Sequence, residues 1–414
     1  MGFLEYFQNS IIRGINLLSG KASSVFYHNR KSTSLLADRL LADALRLAEV
    51  PSPTHREEQR AAFVLERLNA LGLVSRVDEE GNILVRIHAP SVIDEAPLLL
   101  FSDLGTSRWH PLESLSRLDA LHARGAGLAD ILGTATLLSV AEAFASGRLK
   151  SSRDILLLFA ARSFDDPESN VFLHITEDPL LRPFAALGIQ GFMLGTVITH
   201  TQGTYRISIA VSLDRKEKEA GKEGDGEGME SSRAAAESAA MVVEALISAA
   251  RRLSDITWDS KGSTHLHIRR IEAGTGFGRI PTEGILEIEL ESSDGTLLDM
   301  AMDTVKATAE SAAQGPDLKT EVTITSFIPV GDPSTNAELS KTIRGIMKDL
   351  HIKIKEENGS DPSAFLSHHG IPALSLGIAQ GREGLTHDTI EIASIEKGRQ
   401  LIEAIIERKT SELR

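Results

Sequence analysis

The sequence predicts an α/β chain: a three-layer α/β/α domain interrupted by an inserted α+β domain. Leu98–Phe101 and Ile155–Phe159 are continuous apolar runs of strand length, the pattern of parallel strands covered on both faces. Segments with helical spacing alternate with these runs, as in a doubly covered sheet. Between 203 and 326 the order changes to βαββαβ, which a small ferredoxin-like α+β unit would give. Three regions follow: an amphipathic extension at 1–35, an α/β domain at 36–202 plus 327–414, and the insertion at 203–326.

Element by element, Leu35–Val50 has strong helical periodicity and Pro51-Ser52-Pro53-Thr54 stops it. Thr54 is the expected cap of a second helix, with Glu57 at the capping-box spacing, and that helix ends near Leu71-Gly72. Val74–Ile87 reads as a hairpin turning at Glu80-Gly81-Asn82. The strand Leu98–Ser102, a long loop at 107–121, a helix from about Ile131 to Ala145 and the strand Ile155–Ala161 come next, then a short strand at Gly188–Leu194. Asp214–Arg233 is a Lys/Glu/Gly tract expected to be a solvated loop. The insertion continues with a helix (Ala234–Leu253), strands His265–Ile271 and Gly284–Glu291, a helix near Leu297–Ala313 and a strand Glu321–Phe327. The α/β pattern resumes with a helix Asn336–Leu350, a strand Ala373–Leu376 and a helix Ser394–Lys409.

Composition narrows the function. A net charge of -14 argues against a nucleic-acid partner, and 5% aromatics leave little for stacking bases. The absence of cysteine excludes disulfides, thiolate metal sites and a cysteine nucleophile. No run approaches the roughly 18 apolar residues of a membrane span, and a cytoplasmic protein is expected. Gly2–Phe26 has helical apolar spacing and reads either as a helix packed on protein or as peripheral membrane contact through 1–26. Tyr6 stands where a myristoylation motif needs Ser or Thr.

Both apolar strands break off into acids, Asp103 after the first and Asp165-Asp166 after the second. Open α/β sheets bind ligands outside the carboxyl ends of their strands. Carboxylates there, with Asp130 and His387, are the ingredients of a divalent-metal site.

The stretches Glu49–Thr54, Asp78–Asn82, Ile271–Thr275 with Ile280-Pro281, His369–Gly377 and Thr386-His387-Asp388 occur in an order and spacing that resemble one family. It is that of the dinuclear zinc amidohydrolases and exopeptidases of aminoacylase, carboxypeptidase G and peptidase T type, and the resemblance covers about 36–410. It implies zinc as cofactor, reduced by the changed positions described below to one ion rather than two, or to none, and a small peptide or N-acyl amino acid as substrate. It also implies a homodimer through the inserted lid domain. By that resemblance Asp103 stands where a zinc-binding His is expected, and Gly105 where the Asp supporting it is expected. Asp130 corresponds to the bridging carboxylate, or else caps the helix that begins there. Asp165 and Asp166 correspond to the general base and a ligand of the second zinc, or else form a surface turn with Pro167. His387 corresponds to the last zinc ligand, with a structural histidine as the other reading. His368 and His369 read as loop residues.

Other family positions have changed. Met193-Leu194-Gly195-Thr196 offers no carboxylate, Gly226–Ser231 lacks the lid histidine, Gly278-Arg279 lacks an Asn, and Glu291 replaces a substrate-gripping Arg. That last change predicts a lid wall unfriendly to carboxylates. Two functions follow from the residues. One is a divergent hydrolase whose metal is held by Asp130, Asp166 and His387, with Asp103 optional and Asp165 as base. The other is an inactive homologue that binds or scaffolds.

Overall fold

The computed structural model describes residues 34–53, 56–90, 96–106, 116–161, 170–213, 228–260, 262–274, 276, 281–313, 318–384 and 386–411, and the side chains of all these except 228–239. The expected N-terminal amphipathic helix, Thr54, Asp165, Asp166, Arg279 and residues 214–227 of the charged tract lie outside them.

In chain order the α/β part opens with α1 (Leu35–Glu49), α2 (Glu58–Ala70), β1 (Ser75–Val77), β2 (Ile83–Ile87) and β3 (Leu98–Asp103). It continues through β4 (Arg117–Leu118), β5 (His122–Gly125), α3 (Leu128–Ala145), β6 (Ile155–Ala160), α4 (Val171–Glu177), β7 (Ala185–Leu194) and β8 (Thr196–Thr201). The insertion holds β9 (Gly203–Leu213), α5 (Gly228–Ser254), β10 (Thr264–Ala273), β11 (Glu283–Ser292), α6 (Gly295–Ala312) and β12 (Leu318–Ile328). The chain then returns with α7 (Ala337–Asp349), β13 (Lys355–Gly359), α8 (Ser363–His368), β14 (Ala373–Gly377), β15 (Gly381–Arg382), β16 (Asp388–Glu391) and α9 (Ile392–Ser411).

Among the described residues eight strands form the main sheet, in the order β1-β2-β6-β3-β7-β14-β8-β13. β6, β3, β7 and β14 run parallel at its centre. Alternate residues of the two apolar runs enter different cores. Leu98, Leu100, Leu157 and Phe159 pack with the helix layer containing α1, α3 and α9, whereas Leu99, Phe101, Leu156 and Leu158 pack with Phe172 of α4 and Phe365 of α8. Burial on both faces is the reason the runs are continuous rather than alternating. From β3 the chain reaches β6 on one side and β7 on the other, so β3 marks the point where strand order reverses. Crevices for ligands form at such points.

The insertion is a four-stranded antiparallel sheet, β10-β11-β9-β12, with α5 and α6 on one face. Ile207, Ile209, Leu286 and Ile288 meet Val242, Leu246 and Met302 in its own core. The other face looks toward the carboxyl ends of β3 and β7, as the residues shared by the cavity described below show.

Several local expectations change. α2 starts at Glu58 with Glu57 at its N-cap and no side-chain capping bond, and the expected cap residue Thr54 lies outside the described residues. α3 starts three residues earlier than its apolar spacing indicated, because Gly127 in a left-handed conformation (φ 62°) turns the chain into the helix at Leu128. Asp130 therefore lies in the first turn and not at the cap. α3 is also apolar and long enough to cross a membrane, yet two thirds of it is buried inside the protein, as befits a core helix. α5 begins at Gly228, inside the charged tract. His368 is the last residue of α8 rather than a loop residue, while His369 stands in the turn that ends the helix, each with a ring nitrogen near a backbone carbonyl (Val330 and Phe365).

Candidate functional site

A cavity of about 730 Å³ separates the carboxyl ends of β3 and β7 from the open face of the inserted sheet. Asp103 enters it as the last residue of β3. The following turn is tied down from several sides: Leu104 N–H donates to Ala160 (2.7 Å) and Thr106 N–H to Ser52 (3.0 Å). The Leu104 carbonyl accepts from Arg60 Nη1 at 2.5 Å and from Ser52 Oγ at 3.3 Å. Asp130 enters from α3, whose first turn is anchored by Asp388: the Ala129 N–H donates to Asp388 Oδ2 at 3.0 Å. A carboxylate there complements the positive end of the helix.

The structure thus brings Asp103 and Asp130 into one cavity. His387 sits beside Asp388, half-buried, with Nδ1 2.9 Å from Thr386 Oγ1. Its loop contributes Glu383 to the cavity wall, and His387 is not among the described lining residues. Asp165 and Asp166 lie outside the described residues, but the exit of β6 is held by buried Asn82, whose Oδ1 accepts the Ala161 N–H at 2.8 Å.

Glu57, read from sequence as a capping-box residue, lines the cavity and is 5% exposed; Arg60, not among the described lining residues, is 1% exposed. Burial works to pull the Arg60 guanidinium down to about 10, opposed by the charges of Asp130 and Glu57, so it stays cationic at neutral pH. Asp361, 3% exposed, accepts from Gln190 Nε2 (2.7 Å), Ser375 Oγ (2.6 Å) and the Ser363 N–H (2.8 Å). Its only sequence signal is an Asp-Pro step ahead of a short helix.

The inserted domain supplies Arg206 and Arg269, both bonded to Glu289, which lies between them. Burial works to raise the Glu289 carboxyl, but hydrogen bonds and charge from Arg269 and Arg206 outweigh it and hold the group below the usual glutamate range. Two guanidiniums thus stand on the lid wall, each engaged by Glu289. Glu291 sits near the C-terminal end of β11, paired with His265 and Thr204, and it is not among the described lining residues.

Three strand irregularities border the cavity. The β10 register slips at Arg269 and the β12 register at Thr325. Between β7 and β14 the pairing jumps from Ile189 to Leu194, so Gln190–Met193 bulge into the cavity and Met193 adopts φ 64°. Bulges re-aim side chains and gather next to functional sites. The α/β wall is acidic, with Glu57, Asp103, Asp130, Asp361 and Glu383, and the opposite wall carries the guanidiniums of Arg206 and Arg269 beside Glu287 and Glu289.

No family model matches the sequence, and no curated protein matches it either. Solved structures do match in fold. A tripeptidase from Staphylococcus aureus subsp. aureus Mu50 superposes with a TM-score of 0.64 at 19% identity, covering 90% of this chain and 98% of its own. The aminopeptidase PepT from Bacillus cereus gives 0.58 at 15% identity, covering 89% and 98%. The Bacillus subtilis YxeP protein, a dinuclear metal-binding peptidase of the M20 family, gives 0.56 at 14% identity, covering 90% and 97%. The chain has the fold of these peptidases: a large α/β domain with an inserted domain.

Whether the donor set here suits a metal is a question of geometry. Among the described residues no group of three or more His, Asp or Glu side chains is placed to share an ion. A permanently charged guanidinium, Arg60, already faces Asp130 and Glu57. The described residues by themselves do not fit the metal centre of the fold relatives.

Proposed function

We propose that this chain binds a short peptide or N-acyl amino acid in the cleft between its two domains, and that it holds this ligand rather than hydrolysing it. The observation that carries the reading is the opposition of charge across the cavity: carboxylates at the strand ends face the Arg206–Glu289–Arg269 cluster. A zwitterionic peptide fits with its ammonium toward Asp103 and Asp130 and its carboxylate on the Nη1 side of Arg269, whose Nε and Nη2 donate to Glu289. The bulged Gln190–Met193 segment presents backbone groups to the peptide amide between them. The cavity volume suits a ligand of two or three residues. We propose further that two copies pair through the inserted domain, where edge strand β10 exposes Ile268 and Ile271.

Calorimetric titration with dipeptides, tripeptides and N-acetyl amino acids, with product analysis by mass spectrometry, tests the reading. Binding without turnover is expected, with Arg269→Gln weakening carboxylate-bearing ligands about tenfold, the equivalent of about 1.4 kcal/mol. Absence of any binding, or turnover of the bound amide, sinks it.

One observation favours the second reading, a single-metal hydrolase. Ala160 at the end of β6 pairs with Asp103, and Asp165-Asp166 follow five residues later in the chain. In that reading Asp130, Asp166 and His387 hold zinc and Asp165 is the base. Turnover abolished by both Asp165→Asn and His387→Ala would establish it.

A further inference from the structure

We propose that Arg60 supplies from within the protein the positive charge that a metal ion supplies in metallopeptidases of this fold, so that the carboxylates of the cleft floor are stable together without a metal. The inference deepens the binding reading above and rests on its placing the ligand at Asp103 and Asp130.

Arg60 is among the largest fully buried side chains of the molecule. Its hydrogen-bond acceptors are both neutral carbonyls, Leu104 at 2.5 Å and Val50 at 2.9 Å. Those two bonds fix the guanidinium under the turn that carries Asp103. They do not balance its charge. Burying an arginine is tolerated only with nearby countercharge, and Asp130 and Glu57 are the carboxylates that couple to it. Among the described residues Nε of Arg60 has no hydrogen-bond partner.

Glu57 adds a second, geometric argument. A Cβ placed on Gly105 would come within 3.3 Å of Glu57 Oε1. The carboxylate that the turn lacks at position 105 is thus brought in from the start of α2, three residues before Arg60, and the two arrive as a pair. Asp130 approaches the same turn from α3: a Cβ on Gly127 would lie 3.0 Å from Thr106 Oγ1 and 3.8 Å from Asp130 Oδ2. Two carboxylates and one fixed monocation therefore surround Gly105-Thr106. A divalent cation entering there would meet a like charge that cannot move away, in surroundings where charges interact far more strongly than in water.

The test is metal binding by the full chain, read separately from peptide binding. Protein purified without chelator is analysed for metal and titrated with ZnCl2 and MnCl2, alongside Arg60→Met and Arg60→Gln. Each variant is first checked for its fold by circular dichroism. The wild type is expected to carry well below one equivalent. The uncharged variants should gain a site at least about tenfold tighter, as removal of a nearby fixed charge implies, and adding Asp130→Asn should remove it. Arg60→Gln keeps hydrogen-bonding capacity toward the two carbonyls, so it serves if Arg60→Met does not fold. A stoichiometric metal in the wild type that Asp130→Asn releases overturns the inference, as do folded variants that titrate like the wild type. Peptide titration of the same wild-type sample fails or succeeds independently: bound metal with peptide binding intact would overturn only the role of Arg60.

Discussion

The carboxylate of Asp388 and the backbone N–H of Ala129, 259 positions apart in sequence, meet at 3.0 Å and fasten the C-terminal loop to the start of α3. The second oxygen of Asp388 accepts from Gly384 at 3.2 Å, and the residue is 2% exposed. Asp388→Ala should leave two half-buried donors, the Ala129 N–H at the start of α3 and the Gly384 N–H of the loop, without this acceptor and cost about 1–3 kcal/mol of unfolding free energy. Urea denaturation measures it. Because the same bond positions Glu383 on the cavity wall, peptide affinity should fall as well. A variant as stable as the wild type would show that the anchor is dispensable.

This anchor shows which parts of the fold could be read from sequence. Leu98–Asp103 and Ile155–Ala160 were legible because burial on both faces writes an uninterrupted apolar run. The βαββαβ insertion was legible because its strands and helices keep separate periods. The small sheet of β4, β5, β15 and β16 left no signal, since strands of two to four residues carry no period. Among site residues, Asp103 and Asp130 were visible as carboxylates beside a strand end and a glycine-rich turn. Glu57 was legible only as a capping-box residue and Arg60 not at all, because a charge on an amphipathic helix reads as solvent-facing until tertiary packing covers it. Arg269 was hidden by the bulge that breaks the alternation of β10.

Glu289 predicts a pH dependence. Its carboxyl is held below the ordinary glutamate value, so its contribution to stability is complete above the unfolded pKa of about 4.3. That contribution is lost as pH falls through the lower folded value. The difference in unfolding free energy between wild type and Glu289→Gln should therefore be largest near neutral pH and shrink on acidification. Denaturation at a series of pH values gives the curve. A difference that grows toward acid would contradict the arginine clamp.

Asp361 ties the loop after β13 to two central strands, through Ser375 of β14 and Gln190 of the β7 bulge. Asp361→Asn keeps its size but replaces one acceptor oxygen with an NH2 group. It should cost about 1.5–3 kcal/mol, the range for hydrogen bonds to a charged group. Ser375→Ala removes one of these donors and should cost less, and in the double variant the two losses should not add. Thermal unfolding of the four proteins tests the coupling.

Met193 separates the demands of stability from those of binding. A left-handed backbone costs a residue with a Cβ roughly 1–2 kcal/mol, yet Met193 adopts φ 64° while 45% of its surface is exposed. Two bonds impose the conformation from both ends of the bulge: the Leu194 N–H donates to the Ala379 carbonyl, and the Ala379 N–H to the Gly191 carbonyl, each at 3.0 Å. Glycine would remove the strain, offset in part by about 0.5–1 kcal/mol of extra unfolded-chain entropy. Met193→Gly should therefore melt no lower than the wild type. The same change at Met300, exposed on helix α6, should lose about 1 kcal/mol. If the bulge exists to present Gln190–Met193 to a peptide, loosening it should weaken ligand binding while stability is kept. Stability and affinity that fall together would mean that Met193 contributes packing, and that the strain serves the fold alone.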